Sequence, residues 1–182
     1  GEYIWYRPDL MKEKVGCVTH SKDFFEVPEK IVTQRVNSSF QLLAAYDNQQ
    51  NFFLDTVNVS RYSSYKNQCS LRAISAILNS SLVNFWYCSQ YRMPTISIYE
   101  LHSIPINIPD KKQDRILSLL TSILSFVDVK TQSIFKNVLD GCVFQMYFND
   151  YMQEKGIDVL EFLEQDIEKI IKDREFDSFN DM

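Results

Sequence analysis

Glycine is scarce in this chain: there are four in 182 residues, with Gly16, Gly141 and Gly156 standing alone and Gly1 at the terminus. Dinucleotide fingerprints and phosphate-cradling loops need clustered glycines so that backbone can approach a pyrophosphate, and that chemistry is therefore excluded. The cysteines Cys17, Cys69, Cys88 and Cys142 form no CxxC pair, and only His20 and His102 are histidines. No zinc-ligand spacing results. Reduced, mostly buried thiols in a cytoplasmic protein are expected instead. No run approaches the roughly eighteen apolar residues of a membrane-spanning helix, and the start lacks the basic-then-apolar order of a signal peptide. No membrane partner is expected.

What is present is ordinary for a globular protein, with 45% apolar and 24% charged residues. A chain of this length buries about 70% of its unfolded surface, enough for one good-sized domain or two small ones. Its opening, Glu2-Tyr3-Ile4-Trp5-Tyr6-Arg7, reads as the interior of a longer protein.

Residues 30–36, 40–46 and 52–59 are rich in β-branched and aromatic side chains and are separated by polar turns, the pattern of a small sheet. From Ser70 the period changes. Leu71, Ile74, Ile77 and Leu78 mark one helical face, and Asn79-Ser80-Ser81 breaks it before a second helical run at Leu82-Val83-Asn84-Phe85-Trp86-Tyr87, so two short helices should pack on the sheet. Ile96, Ile98 and Ile104-Pro105-Ile106 read as a returning extended segment. Beyond Pro109 three amphipathic helices follow. The first opens on a capping box of Asp110 and Gln113 and buries Ile116, Leu120, Ile123 and Val127. The second buries Phe135, Leu139, Cys142 and Met146. The third opens on Asp158 and Glu161 with an Ile157–Phe162 staple and buries Leu160, Leu163, Ile167, Ile170 and Ile171. The expected fold class is α+β: a small mixed sheet with short helices over residues 1–109, followed by an antiparallel helical bundle over 110–182.

The net charge of −5 argues at first against a nucleic-acid partner. Divided at Pro109 it changes meaning. Residues 1–109 hold ten basic and nine acidic side chains, whereas 110–182 hold nine and fifteen. Within 30–99, Lys30, Arg35, Arg61, Lys66, Arg72 and Arg92 face only Asp47 and Asp55. The cations are interleaved with hydrogen-bonding and aromatic residues, as in Thr33-Gln34-Arg35-Val36-Asn37 and Arg61-Tyr62-Ser63-Ser64-Tyr65-Lys66. Arg, Asn and Gln can read base edges while Ser, Tyr and Lys suit phosphates. Two solvated polar loops are the competing interpretation.

The stretch Leu78-Asn79-Ser80-Ser81-Leu82-Val83-Asn84-Phe85-Trp86-Tyr87 resembles the "LNS…fwy" segment of the TaqI-like C-terminal specificity domain, the target recognition part of adenine-specific DNA methyltransferases and of fused restriction-modification enzymes. Pro28-Glu29-Lys30-Ile31-Val32 resembles its "pKIl" strand, and Ala45-Tyr46-Asp47 with Phe52-Phe53 its "D…yy" hairpin. Ile104-Pro105-Ile106-Asn107-Ile108-Pro109 with Gln113 and Ile116 is similar to the exit into a spacer helix in type I restriction specificity subunits. Residues 138–148 look like the "iD.iVyeLYf" segment that follows recognition domains in fused enzymes, with Gln145 where an acidic residue is usual. The resemblance runs from about residue 28 to residue 148.

It implies a non-catalytic module that chooses the sequence of double-stranded DNA for a methyltransferase domain of the same or a partner chain. The family's "NPPY" tetrapeptide and the glycine-containing loop for S-adenosylmethionine do not occur here. The cofactor would therefore belong to the parent enzyme, which would flip and methylate the base. No catalytic, cofactor-binding or metal residue is assigned in this chain.

Arg35 and Arg61 lead the DNA-contacting candidates, because each lies beside a polar turn and arginine has the fork geometry for guanine or phosphate. Lys30, Gln34, Asn37, Lys66 and Arg92 join them. Tyr62 and Tyr65 would pack against sugar or base, or else serve as half-buried structural residues. Phe85, Trp86 and Tyr87 read as core packing. Glu100 with His102 is assigned no chemistry, and Glu161, Glu164, Asp166 and Glu168 read as a solvated helix face. The rival function is a protein-interaction or oligomerisation module that works through the acidic bundle. An autonomous nuclease or methyltransferase lacks the necessary residues.

Overall fold

The structure is a computed structural model that describes residues 5–17, 19–36, 41–61 and 68–173, with side chains described through Lys169. Among these residues the strands are β1 (Lys30–Gln34), β2 (Ala44–Asp47) and β3 (Val57–Ser60). The helices are α1 (Pro8–Glu13), α2 (Lys22–Phe25), α3 (Leu71–Asn79), α4 (Ser81–Gln90), α5 (Ile98–Ser103), α6 (Lys111–Phe126), α7 (Val129–Tyr147), α8 (Asn149–Glu154) and α9 (Val159–Asp173). The α+β class expected from the sequence is the one observed.

The sheet has the order β2-β1-β3 and is antiparallel on both sides of β1, not mixed. The segment around Phe52-Phe53 lies outside any strand, and α1 and α2 interrupt what the sequence suggests are strands and loops. Both helices are too short to show a period, although Pro8 occupies the first turn of α1 where its missing N–H is harmless.

Alternation along the register gives the sheet two faces. Ile31 and Thr33 share one with Ala44 and Tyr46, and α3 packs there. Helix α3 is buried nearly all round because it is held between the sheet and α6. Its small residues Ala73, Ser75 and Ala76 allow that close approach. The other face carries Lys30, Val32, Gln34, Ala45 and Asp47. Phe25 and Phe52, 5.0 Å apart by ring centroid, form an aromatic cluster with Tyr6 that covers its Lys30 end.

The residues that carry the family resemblance hold this frame together. The Asn79 side chain grips edge strand β2, accepting from Ala44 N at 2.9 Å and donating to Ala44 O at 2.7 Å. Asn84 accepts from Leu42 N at 2.8 Å. Ser70 and Ser80 cap α3 and α4, and Asp140, reaching over from α7, accepts from Ser81 N at 2.6 Å. The exit segment docks on α7, where Tyr147 Oη donates to Pro105 O and accepts from Asn107 N.

Helix α4 packs on α3 and α7 rather than on the sheet. Of its aromatic triplet only Tyr87 is core. Trp86 is partly buried and Phe85 is 74% exposed, because three consecutive helical residues cannot share one face. The returning segment contributes a single bridge, Thr95 to Val36, before it becomes helix α5. A complete capping box of Ser97 and Glu100 starts that helix.

The three long helices pack pairwise as expected, and only Val127 and Asp128 join α6 to α7, a link that turns the chain back on itself. The box at Asp110 and Gln113 is complete. At Asp158 the box is replaced: the carboxylate accepts from Glu161 N, but the Glu161 carboxylate crosses to Lys112 at 2.7 Å. Ile157 and Phe162 stay exposed instead of closing a staple. Ile170 and Ile171 lie outside the described side chains. One core of buried residues includes Ile31, Leu117 and Ile167. Of the four thiols only Cys142 is buried; Cys17 is exposed and Cys69 and Cys88 are intermediate.

Candidate nucleic-acid interface

Strand β1 ends at Gln34 and Arg35 follows it, both exposed. The chain is held here by two neighbouring segments, since Arg35 N donates to Thr56 O at 2.9 Å and Arg35 O accepts from Ile96 N at 2.7 Å. Its guanidinium rests on Asp55 O at 3.1 Å, and the Gln34 amide donates to Val36 O. Arg92 is exposed three residues before the Thr95 bridge to Val36, so it belongs to this same end of the sheet.

Arg61 belongs to the other end. The register sets Ile31 against Ser60 and Gln34 against Val57, which separates Arg35 from Arg61 by five residues of ladder, about 17 Å. Arg61 is exposed and its guanidinium lies 4.8 Å over the Phe24 ring. The structure therefore places Gln34 and Arg35 at one end of the sheet, Arg92 on the segment that reaches that end, and Arg61 apart. Asn37, Tyr62, Tyr65 and Lys66 lie outside the described residues.

Lys30 is a correction. Its side chain is 0% exposed, with the ammonium 2.6 Å from Asp47 and donating to Phe25 O at 2.7 Å. A side chain so enclosed cannot reach a phosphate. Asp47 accepts further from Gln49 N, Asn51 N and the Asn51 amide. Burial alone would raise the Asp47 pKa, but Lys30 and these donors outweigh it and hold the carboxylate below its ordinary value. Because Lys30 and Asp47 cancel each other, the cations left over residues 30–99 are Arg35, Arg61, Lys66, Arg72 and Arg92 against Asp55 alone.

Glu100, Glu161 and Glu164 have structural partners. Glu100 accepts from Ser97 N at 2.7 Å and from the Tyr87 hydroxyl at 3.0 Å, while His102 is exposed. Glu161 and Glu164 both pair with Lys112, and Glu164 also with Arg115, which ties α9 to α6. Their hydrogen bonds raise the Lys112 pKa.

The fold is of the α+β class, with a buried frame that presents polar, cationic loop ends. The sequence matches the TaqI-like C-terminal specificity domain family over residues 1–106, and the chain belongs to that family. The match covers the sheet and helices α1 to α5 and ends in the exit segment. Comparison with curated proteins and with solved structures finds no match. Membership points to a DNA-recognition role in restriction-modification. Among the described residues no helix is long and apolar enough to cross a membrane.

Proposed function

We propose that the chain is the DNA sequence-recognition module of a restriction-modification adenine methyltransferase, binding duplex DNA and positioning it for a catalytic domain elsewhere. The observation that carries this reading is the family match over the whole sheet-bearing part of the chain. Arg35, Gln34 and Arg92 at one end of the ladder and Arg61 at the other supply the contacts. Their separation, about 17 Å, is wide enough to reach phosphates on either side of a major groove about 12 Å across. The module itself transfers no methyl group. S-adenosylmethionine is held by the parent enzyme's catalytic domain.

The helical part offers the docking surface for that domain. On α7 and just beyond, the Phe144 and Phe148 rings lie with centroids 4.7 Å apart, tilted by 39°, while remaining 38% and 44% exposed. These exposed rings equally favour the second reading, an oligomerisation module acting through the bundle.

The deciding experiment is a salt titration of duplex binding. Contact with about four phosphates gives a slope of log K against log salt of about −3.6, a fall on the order of a hundredfold between 50 and 200 mM. Combined Arg35→Ala and Arg61→Ala should weaken binding and flatten that slope. Binding indifferent to salt or to the double substitution refutes the reading. A stable oligomer in sedimentation with no DNA binding supports the second one.

A further inference from the structure

An open trough of about 550 Å3 lies between the β2 end and α6, with Asn48 and Gln49 on one wall and Thr121, Ser122 and Ser125 on the other. A smaller hollow of about 260 Å3 begins at Gln34 and Val57. Both are lined by Ala44, Ala45 and Asn79, so they meet across edge strand β2. The smaller hollow has Gln34, at the end already assigned to DNA, in its lining, and the trough has Arg72, in the first turn of α3.

The chemistry of the trough is unlike that of the chain as a whole. The chain has 24 acidic residues, yet among the described residues lining the trough none bears a carboxylate. The lining supplies amides, hydroxyls and the Arg72 guanidinium. That guanidinium lies 4.8 Å over the Tyr46 ring, which fixes its place. Glu29 accepts the Tyr46 hydroxyl at 2.6 Å and lies outside the lining.

The loop that forms one wall is equally fixed. Asp47, locked by Lys30, takes up the N–H groups of Gln49 and Asn51, and Gln50 turns the chain with φ 57°. The Asn48 and Gln49 side chains are thus presented on a rigid turn at little further entropic cost. On the far side, Leu124 and Phe126 offer apolar surface suited to deoxyribose.

We propose that this trough carries a stretch of DNA sugar–phosphate backbone, with Arg72 as a phosphate contact and Asn48 and Gln49 as neutral donors, extending the interface beyond Gln34 and Arg35. The inference rests on the DNA-recognition reading. Backbone contacts of this kind place the protein on the duplex without reading bases, so the effect of Arg72 should be the same for every sequence.

The test is fluorescence anisotropy of the 182-residue chain with a labelled mixed-sequence duplex across a salt series. Arg72→Gln should weaken binding several-fold and make the log–log salt slope shallower by about 0.9, the loss of one phosphate. Arg72→Lys should keep the slope, because a phosphate needs the charge and not the fork. Ser125→Glu sits on the opposite wall, away from the Tyr46 contact, and should weaken binding by repulsion with no change in melting temperature. If Arg72→Gln and Ser125→Glu both bind like the parent chain while Arg35→Ala weakens binding, the trough is wrong and the DNA reading stands. If the parent chain binds no duplex at 50 mM salt, the reading itself falls and the inference with it. Tighter binding of poly-glutamate than of duplex, lost in Arg72→Gln, would give the trough to an acidic protein segment and overturn the proposal.

Discussion

The Lys30 ammonium stands 2.6 Å from the Asp47 carboxylate with both side chains withdrawn from solvent, and this pair anchors the Asn48–Asn51 turn. Removing one partner of a buried pair leaves the other charge uncompensated, so Lys30→Met should cost about 3–5 kcal/mol in urea denaturation. The double variant Lys30→Met with Asp47→Leu should recover part of that loss, although the turn loses its acceptor. Because the Asp47 pKa is depressed in the folded state, its contribution is present at neutral pH and disappears as pH falls through that depressed value. Lys30→Met should therefore be least harmful in acid.

Gln145 explains a departure from the family pattern. It is buried on α7, donates to Asp158 at 2.9 Å and accepts from Leu160 N at 3.1 Å. A carboxylate here would lose the donor and face Asp158, whose own pKa is held down chiefly by the Gln145 hydrogen bond. Gln145→Glu should destabilise by about 1–3 kcal/mol at pH 7. Burial beside another acid raises the pKa of the new carboxyl, so the deficit should shrink as pH falls through that raised value and the carboxyl binds a proton. Equal loss at pH 4 and 7 would contradict this account.

Asp140 couples the sheet-bearing part to the helices by capping α4 from α7. Asp140→Ala removes a charged acceptor from Ser81 N and the Ser81 hydroxyl while Ser80 stays as N-cap, and should cost about 1–3 kcal/mol. Asn79→Ala releases the two backbone groups of Ala44 and should cost about 1–2 kcal/mol. Amide hydrogen exchange should locate the second effect at Ala44, on the edge of the sheet.

Thiol reactivity should separate the cysteines. Cys142 is fully buried and burial pushes its pKa up to about 12, whereas Cys17 is exposed. Iodoacetamide at pH 8 should label Cys17 first and reach Cys142 only on unfolding. Mass spectrometry of partly labelled protein would show any other order.

What could be read in advance followed from local rules. The helices α6, α7 and α9 declare themselves because apolar residues recur at helical spacing over many turns, and the box at Asp110 and Gln113 closes within four residues. The sheet segments were visible from β-branched runs for the same reason. The helices α1, α2 and α5 escape because each spans six residues or fewer, too short to show a period. The residues behind the family resemblance, Asn79, Ser80 and Asp140 among them, were legible as a pattern, but their task of holding the frame was not.

Charge was the least legible property. Counting side chains along residues 30–99 identified a cationic stretch, because formal charge depends on composition alone. Which of those cations face solvent is decided by strand register. Pairing β1 with β2 puts Asp47 opposite Lys30 and removes that lysine from any interface, while pairing β1 with β3 sends Arg35 and Arg61 to opposite ends of the sheet. Arg72 sits on a helix, where spacing along the chain does not show that it faces a trough free of carboxylates. By itself the sequence determined the family, the fold class and the periodic helices, since these depend on residue type and short-range spacing. Only the tertiary structure decided which charges are cancelled and which are presented, because that depends on what long-range packing sets opposite each side chain.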